Sequence, residues 1–304
     1  MGLALLWATA RRGGWVFPDG SDTWVIFMDK KNTSLVEEFQ RYFTIEQALT
    51  QEQLNSVYRV RYRVYCEEFQ YEPADACPNQ LETDEFDVHS RHCVVVHKAT
   101  GMPAGCARLV LADEQRLMPM ERHCASAIDQ QLLRSFDGRR DTVCEFSRLG
   151  VDGAFRRRPG ERESRFGEIS ALEFSSREQR TFPLVAMATI LSALALSELI
   201  GRPHCFAMME PFLPRLLRRS GLLARPAGQE TEYHGIRSPF YWETREGVST
   251  LEPEFKEFYD AILADFSASA TSERRAASAQ PATSARAQPR RRGWSPFTQA
   301  LLAN

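Results

Sequence analysis

An α+β fold, a mixed sheet flanked by helices, is what this sequence predicts, and three observations predict it. Helical spacing and strand-like runs follow one another as helix, hairpin, strand, helix, strand, helix and strands, which is not the strict alternation of a doubly wound nucleotide fold. The stretch 182–200 is apolar nearly all round and ends at Gly201-Arg202-Pro203, a helix stop, so it reads as a helix buried in a core. With 304 residues and 43% apolar content, the chain is large enough to bury such a core.

Taken in order, residues 1–33 stand apart as an extension. Their apolar start precedes Arg11 and Arg12, the wrong order for a secretory signal, and Met28-Asp29-Lys30-Lys31-Asn32 reads as a more ordinary start, so residues 1–27 are expected to be an upstream extension or a misassigned start. Thr44 to Cys66 carries Leu49, Leu54, Val57, Val60 and Val64 at helical spacing and predicts a helix. His92–His97 and Gly105–Leu111, joined through Gly101 and Pro103, predict a hairpin, and Val143–Val151 a third strand. A basic loop, Arg156–Glu163, leads to the long helix Pro183–Ile200. There follow a strand at His204–Met209, a helix at Phe212–Arg219 closed by Ser220-Gly221, and short strands at Glu232–Ile236 and Phe240–Thr244. Residues 34–266 thus form the domain. Residues 267–304 turn to Ala, Ser, Thr, Pro and Arg, with too little apolar surface to offset ordering entropy, and predict a disordered tail.

Composition removes several classes of partner. A formal net charge of −2 gives no reason to expect nucleic acid. Seven cysteines without a Cys-x-x-Cys pair predict reduced thiols and a cytoplasmic location. Three of them follow a histidine, at His92, His123 and His204, but sequence neighbours point to opposite faces of a strand, so no metal site is expected. The long apolar stretch contains Pro183, Thr189, Ser192, Ser197 and Glu198, which favours a core helix over an integral membrane span.

Charge is concentrated where apolar periodicity predicts half-buried backbone. Arg61 and Tyr65 share a helix face four residues apart; Glu82-Thr83-Asp84-Glu85-Phe86-Asp87 follows; Arg108 lies mid-strand; and Glu145-Phe146-Ser147-Arg148 lies inside the third strand. Unpaired ions there would cost several kcal/mol each, so Arg61, Arg108 and Arg148 are expected to meet Asp84, Asp87 and Glu145. One such pair would be only a salt bridge that fixes the fold. Six residues on separate elements point to a site.

The order and spacing of Arg61, Tyr65, Tyr71, Asp84, Asp87, Arg108, Glu145 and Arg148 resemble those of the acyl-homoserine-lactone synthases and their relatives, the N-acyl amino acid synthases, over residues 45–155. Leu117-Met118-Pro119-Met120-Glu121-Arg122-His123-Cys124 and the longer C-terminal half resemble the bacterial acyltransferases associated with exosortase (PEP-CTERM) and exopolysaccharide systems. The resemblance implies an acetyltransferase-like (GNAT) fold whose central sheet holds a splayed strand pair. It implies an acyltransferase moving a fatty acyl group from acyl carrier protein, or from acyl-CoA, to the amine of an amino acid or similar small acceptor. The acyl-phosphopantetheine thioester is then a co-substrate, and no bound cofactor is implied. Members that use S-adenosylmethionine usually have Phe and Trp where Tyr65 and Tyr71 stand, which favours an acyl amino acid over a homoserine lactone. A lactone synthase using S-adenosylmethionine and a non-catalytic binding module on the same fold are the alternatives.

Within that resemblance Glu145 is the expected general base, since a carboxylate inside a strand can have a raised pKa, with Arg148 beside it as the second catalytic residue. Asp84 and Asp87 suit an acceptor's ammonium; Arg61 and Arg108 suit its carboxylate or hold the aspartates in place. Tyr65 and Tyr71 are expected to complete the acceptor site. Ser147, Leu149 and Val151 lie where a parted strand would offer backbone N–H groups to the pantetheine arm and to the oxyanion. Arg157 and Arg158 suit the acidic surface of an acyl carrier protein, or form a solvated basic loop.

Overall fold

One mixed sheet organises the protein in the computed structural model, which describes residues 34–156, 174–211 and 213–279. Its strands are β1 (Phe43–Gln47), β2 (Ser90–His97), β3 (Pro103–Leu111), β4 (Val143–Val151), β5 (His204–Met209), β6 (Arg225–Pro226), β7 (Thr231–Glu232) and β8 (Ile236–Glu243). They run in the order β1-β2-β3-β4-β5-β8-β6, with β7 on β8. All neighbours are antiparallel except β4 and β5.

Strand alternation sends side chains to two different cores. Cys93, Val95, Ala107, Leu109, Cys144 and Phe146 face α6 (Phe182–Leu199). This helix is apolar all round because the sheet covers one side and α8 (Thr244–Ser249) with other core residues covers the rest; 72% of it is buried. Gly105 lets it approach β3, since a Cβ there would meet Thr189 Oγ1 at 2.7 Å. On the opposite face Val94 and Cys106 pack under Val57, Val60, Val64 and Tyr65 of the segment that begins with α2 (Gln51–Arg61). Beyond them Val143, Phe206 and Met208 lie under Met118, Met120 and Phe136 of the 112–136 segment.

The expected helix over 44–66 divides in two. Phe43 to Gln47 pairs with β2 instead, Ile45 opposite Val95, because its alternating side chains complete the sheet edge. The helix proper starts at the Thr50 cap, closed by a capping box with Gln53, and widens after Arg61 into a π-helical turn, Tyr62–Glu68. The two expected C-terminal strands become the two-residue β7 and the long β8, which runs through Pro239. The final helix α9, Pro253–Ala279, continues past Phe266, so 267–279 is helical and not the disordered start of a tail; its alanines are strong helix formers even without apolar surface to bury. Residues 1–33, 157–173 and 280–304 lie outside the described residues.

Candidate functional site

Three buried guanidiniums and three carboxylates meet beneath α2. Arg61, at the end of α2, donates from Nε to Glu82 Oε2 at 2.5 Å and from Nη1 to Asp87 Oδ1 at 2.6 Å. Arg108 on β3 reaches Asp84 Oδ1 at 2.5 Å and Asp87 Oδ1 at 2.9 Å, and its Nε donates to Ser147 Oγ at 2.9 Å. Arg148 on β4 reaches Glu82 Oε1 at 2.8 Å and Asp84 Oδ2 at 3.0 Å. All three arginines are fully buried, so their charges are balanced within the cluster rather than by water. Burial pushes the Glu82 carboxyl up, but Arg61 and Arg148 outweigh it and hold it down at about 2. Asp84 and Asp87 are likewise held low against burial, by Arg108 and Arg148 and by Arg61 and Arg108 respectively. Asp84 alone of the three turns part of its side chain, 19%, outward.

The strand that carries Arg148 is bulged at that residue. Arg148 has φ +51°, a left-handed conformation that costs a non-glycine residue roughly 1 kcal/mol, and the β3 register slips from Cys106↔Gly150 to Arg108↔Ser147. The slip turns both Ser147 and Arg148 toward the ion cluster and sends Leu149 and Val151 into the α6 core. Just before the bulge β4 also leaves β5: their parallel pairing runs from Val143↔His204 only to Phe146↔Ala207. Tyr65 holds the freed segment, its OH donating to Leu149 O at 3.0 Å and its ring lying 5.2 Å from the Arg148 guanidinium.

Glu145 sits one residue before the strands part, opposite Phe206. It does not join the arginines as expected. Its neighbours on that face are Met120, Phe206 and Met208, its Oε2 accepts the Met120 N–H at 2.8 Å, and its Oε1 has no hydrogen-bond partner among the described residues. Burial, unopposed by any ion pair, pushes this carboxyl up to about 7.

A row of aromatic and basic side chains packs beside these groups, Tyr233 within the field of Glu145 and Arg148. Tyr71 stacks on Phe69 at 5.6 Å and meets His234 at 5.1 Å, while Tyr233 meets His234 at 4.9 Å and stacks on His123 at 5.8 Å. Arg237, buried on β8, lies 5.8 Å from the Tyr71 ring.

The sequence profile of the acetyltransferase (GNAT) domain matches residues 60–163. The fold is acetyltransferase-like. No protein of curated function matches the chain at a significant level. Among solved structures the chain is similar to TofI in a ternary complex with an inhibitor and MTA, at 17% identity over 70% of this chain and 99% of that one, with a TM-score of 0.48. It is similar also to MesI, a CoA-dependent acyl-homoserine lactone synthase, at 19% identity over 73% and 95%, TM-score 0.46. A third is FeeM, an N-acyl amino acid synthase from uncultured soil microbes, at 12% identity over 71% and 97%, TM-score 0.43.

Five of the expected acceptor residues, Arg61, Tyr65, Asp84, Asp87 and Arg108, gather with Arg148 in this acetyltransferase-like fold, and Tyr71 lies against Phe69, His234 and Arg237. Arg61 and Arg108 pair with the aspartates. Glu145 stands apart because the β4 alternation points it under the 112–136 segment. The side chains of Leu149 and Val151 are core, and Ser147 accepts a hydrogen bond from Arg108. Arg157 and Arg158 lie outside the described residues. Glu82 was passed over although it is the first acid of the Glu-x-Asp-x-aromatic-Asp run, and no ion pair among the described residues is better buried. Arg237 was also passed over: a lone arginine between Ile236 and Ser238 at a strand start gives no periodic signal.

Proposed function

We propose that the protein is an N-acyltransferase that moves a fatty acyl group from a phosphopantetheine thioester, on acyl carrier protein or coenzyme A, to the amine of an amino acid or similar small acceptor in the cytoplasm. The observation that carries it is a buried carboxyl, Glu145, poised near neutrality at the point where two parallel strands part. The amine nitrogen attacks the thioester carbonyl, forming the N–C bond and a tetrahedral oxyanion; collapse breaks the C–S bond and releases the thiol. Glu145 takes the amine's proton, directly or through a water, and a pKa near the working pH suits a group that must accept and then return it. Backbone N–H groups of β4 beyond Phe146, no longer shared with β5, are the natural donors to the pantetheine arm and the oxyanion. Asp84, with its outward face, suits the incoming ammonium. The likeness of residues 117–124 to exosortase-associated acyltransferases gains a physical role here, since Met120 supplies the N–H that Glu145 accepts.

The test is mass spectrometry of products from the purified protein, palmitoyl-acyl carrier protein or palmitoyl-CoA, and the twenty amino acids. An amide of palmitate with one or a few of them supports the proposal. Release of methylthioadenosine from added S-adenosylmethionine transfers the site to lactone synthesis. Absence of any acylated product with either donor overturns the enzyme assignment and leaves a binding module.

A further inference from the structure

Each arginine of the ion cluster has a carboxylate within 3.0 Å, and Glu72 adds a fourth carboxylate at 3.6 Å from Arg148. Although one Nη on each guanidinium lacks a hydrogen-bond partner among the described residues, an acceptor's own carboxylate entering there would meet three cations already faced by four acids. Arg237 is placed differently. It is 1% exposed, yet among the described residues its side chain donates only from Nη2 to the His234 carbonyl at 3.2 Å, meets the Glu210 carboxylate only at 3.8 Å, and has no partner for its Nε. A buried guanidinium whose carboxylate contact among the described residues is this long, and whose Nε has no partner there, has room for a closer anion, since a buried charge loosely paired costs more than the same group tightly paired.

Its surroundings belong to the cleft of the proposed reaction. Tyr71 packs against it, His234 lies in the field of both Arg237 and Arg148, and the neighbouring Tyr233 lies in the field of Glu145 and Arg148. A flat guanidinium edge walled by tyrosine and histidine rings suits a planar carboxylate held by two parallel N–H···O bonds.

Resting on the proposed acyl transfer, we infer that Arg237 anchors the carboxylate of the acceptor, so that the acceptor is an amine bearing a carboxylate and not a simple amine. Asp84 then takes the ammonium end while Arg237 takes the other, and the pair orients the molecule toward Glu145.

The experiment compares phenylalanine with phenethylamine, leucine with isopentylamine and tyrosine with tyramine as acceptors, using palmitoyl-acyl carrier protein as donor. Expected is a preference in kcat/KM of about 10- to 100-fold for the carboxylated member of whichever pair is accepted, the scale of a charge-assisted hydrogen bond. Arg237→Gln erases that preference through KM, and Arg237→Lys, a point charge without the fork, retains part of it. Equal handling of acid and amine by the wild type overturns the inference while leaving acyl transfer intact, and it does so even if Arg237→Gln fails to fold. So does a folded Arg237→Gln protein, checked by its melting transition, that keeps the full preference. A penalty equal for both acceptors that vanishes with a palmitoyl-N-acetylcysteamine donor assigns Arg237 to the donor's phosphate and also overturns it. If none of these acceptors nor any of the twenty amino acids is acylated, the proposed function itself fails and the anchor with it.

Discussion

Replacing Glu145 by glutamine should make the protein more stable in alkaline solution while stopping the chemistry. A carboxyl whose ordinary value is 4.5 and which burial raises to about 7 binds its proton more tightly folded than unfolded. It therefore costs nothing below pH 4.5, costs progressively more as pH rises from 4.5 to 7, and levels off above 7 at about 3 kcal/mol. At pH 5 the cost is still below about 1 kcal/mol. Glutamine has no proton to lose, and its carbonyl can keep the Met120 N–H, so its own packing effect is the same at both values. Urea unfolding of both proteins at pH 5 and pH 8 separates the terms. The advantage of Glu145→Gln over wild type should be larger at pH 8 by about 2–3 kcal/mol. An advantage equal at the two pH values means that Glu145 is not the titrating carboxyl described here, and its assignment as base falls with it.

Other perturbations act on the ion cluster and on the parted strand. Glu82→Gln leaves Arg61 and Arg148 without their shared anion and should lower unfolding free energy by about 3–5 kcal/mol, read from denaturant melts; a loss under 1 kcal/mol would mean that water reaches the cluster. Because the Glu82 carboxyl is held near 2 against its ordinary 4.5, its stabilisation is complete above pH 4.5 and is lost as pH falls toward 2, so stability of wild type should fall more steeply in that window than that of Glu82→Gln, in which only Asp84 and Asp87 still titrate against the arginines. Arg148→Ala should destabilise by a similar amount, its lost turnover coming partly with lost fold, because Arg148 is the second partner of both Glu82 and Asp84. Tyr65→Phe removes only the bond to Leu149 O; we expect about 1 kcal/mol of stability and a fall in kcat larger than any change in acceptor KM, and an unchanged kcat would show that this bond does not shape the donor cleft.

Much of the fold was legible because local patterns and tertiary placement agree. The β4 bounds follow from apolar residues that frame the nine-residue strand and alternate through it, all nine positions being buried although Glu145, Ser147 and Arg148 are polar, and α6 follows from apolar content on every side. Phe43–Gln47 was misread as the start of a helix because its apolar residues fit both periods, and only β2 beside it decides. The ion cluster was foreseen from the cost of charge in apolar strands, which says that Arg61, Arg108 and Arg148 must be paired. It does not say with which acids. The bulge at Arg148 reverses the alternation midway along β4 and brings Arg148 to the face of Ser147, which regular strand parity would not have given, while Glu145, two residues earlier on that face, lies under the 112–136 segment and leaves its expected place with the arginines to Glu82. Arg237 was invisible for a related reason: its importance lies in hydrogen bonds it does not make.

The most direct test of the account is the pH dependence of acyl transfer itself, followed by mass spectrometry with the best amino acid acceptor under subsaturating conditions. Wild-type kcat/KM should rise through a midpoint near pH 7 as Glu145 loses its proton, and Glu145→Gln should fall by two orders of magnitude or more, the scale of general-base catalysis, with the pH 7 midpoint gone. A Glu145→Gln protein that still makes the amide at the wild-type rate, with the same midpoint, would contradict the claim that this buried carboxyl beside the parted strands is the base.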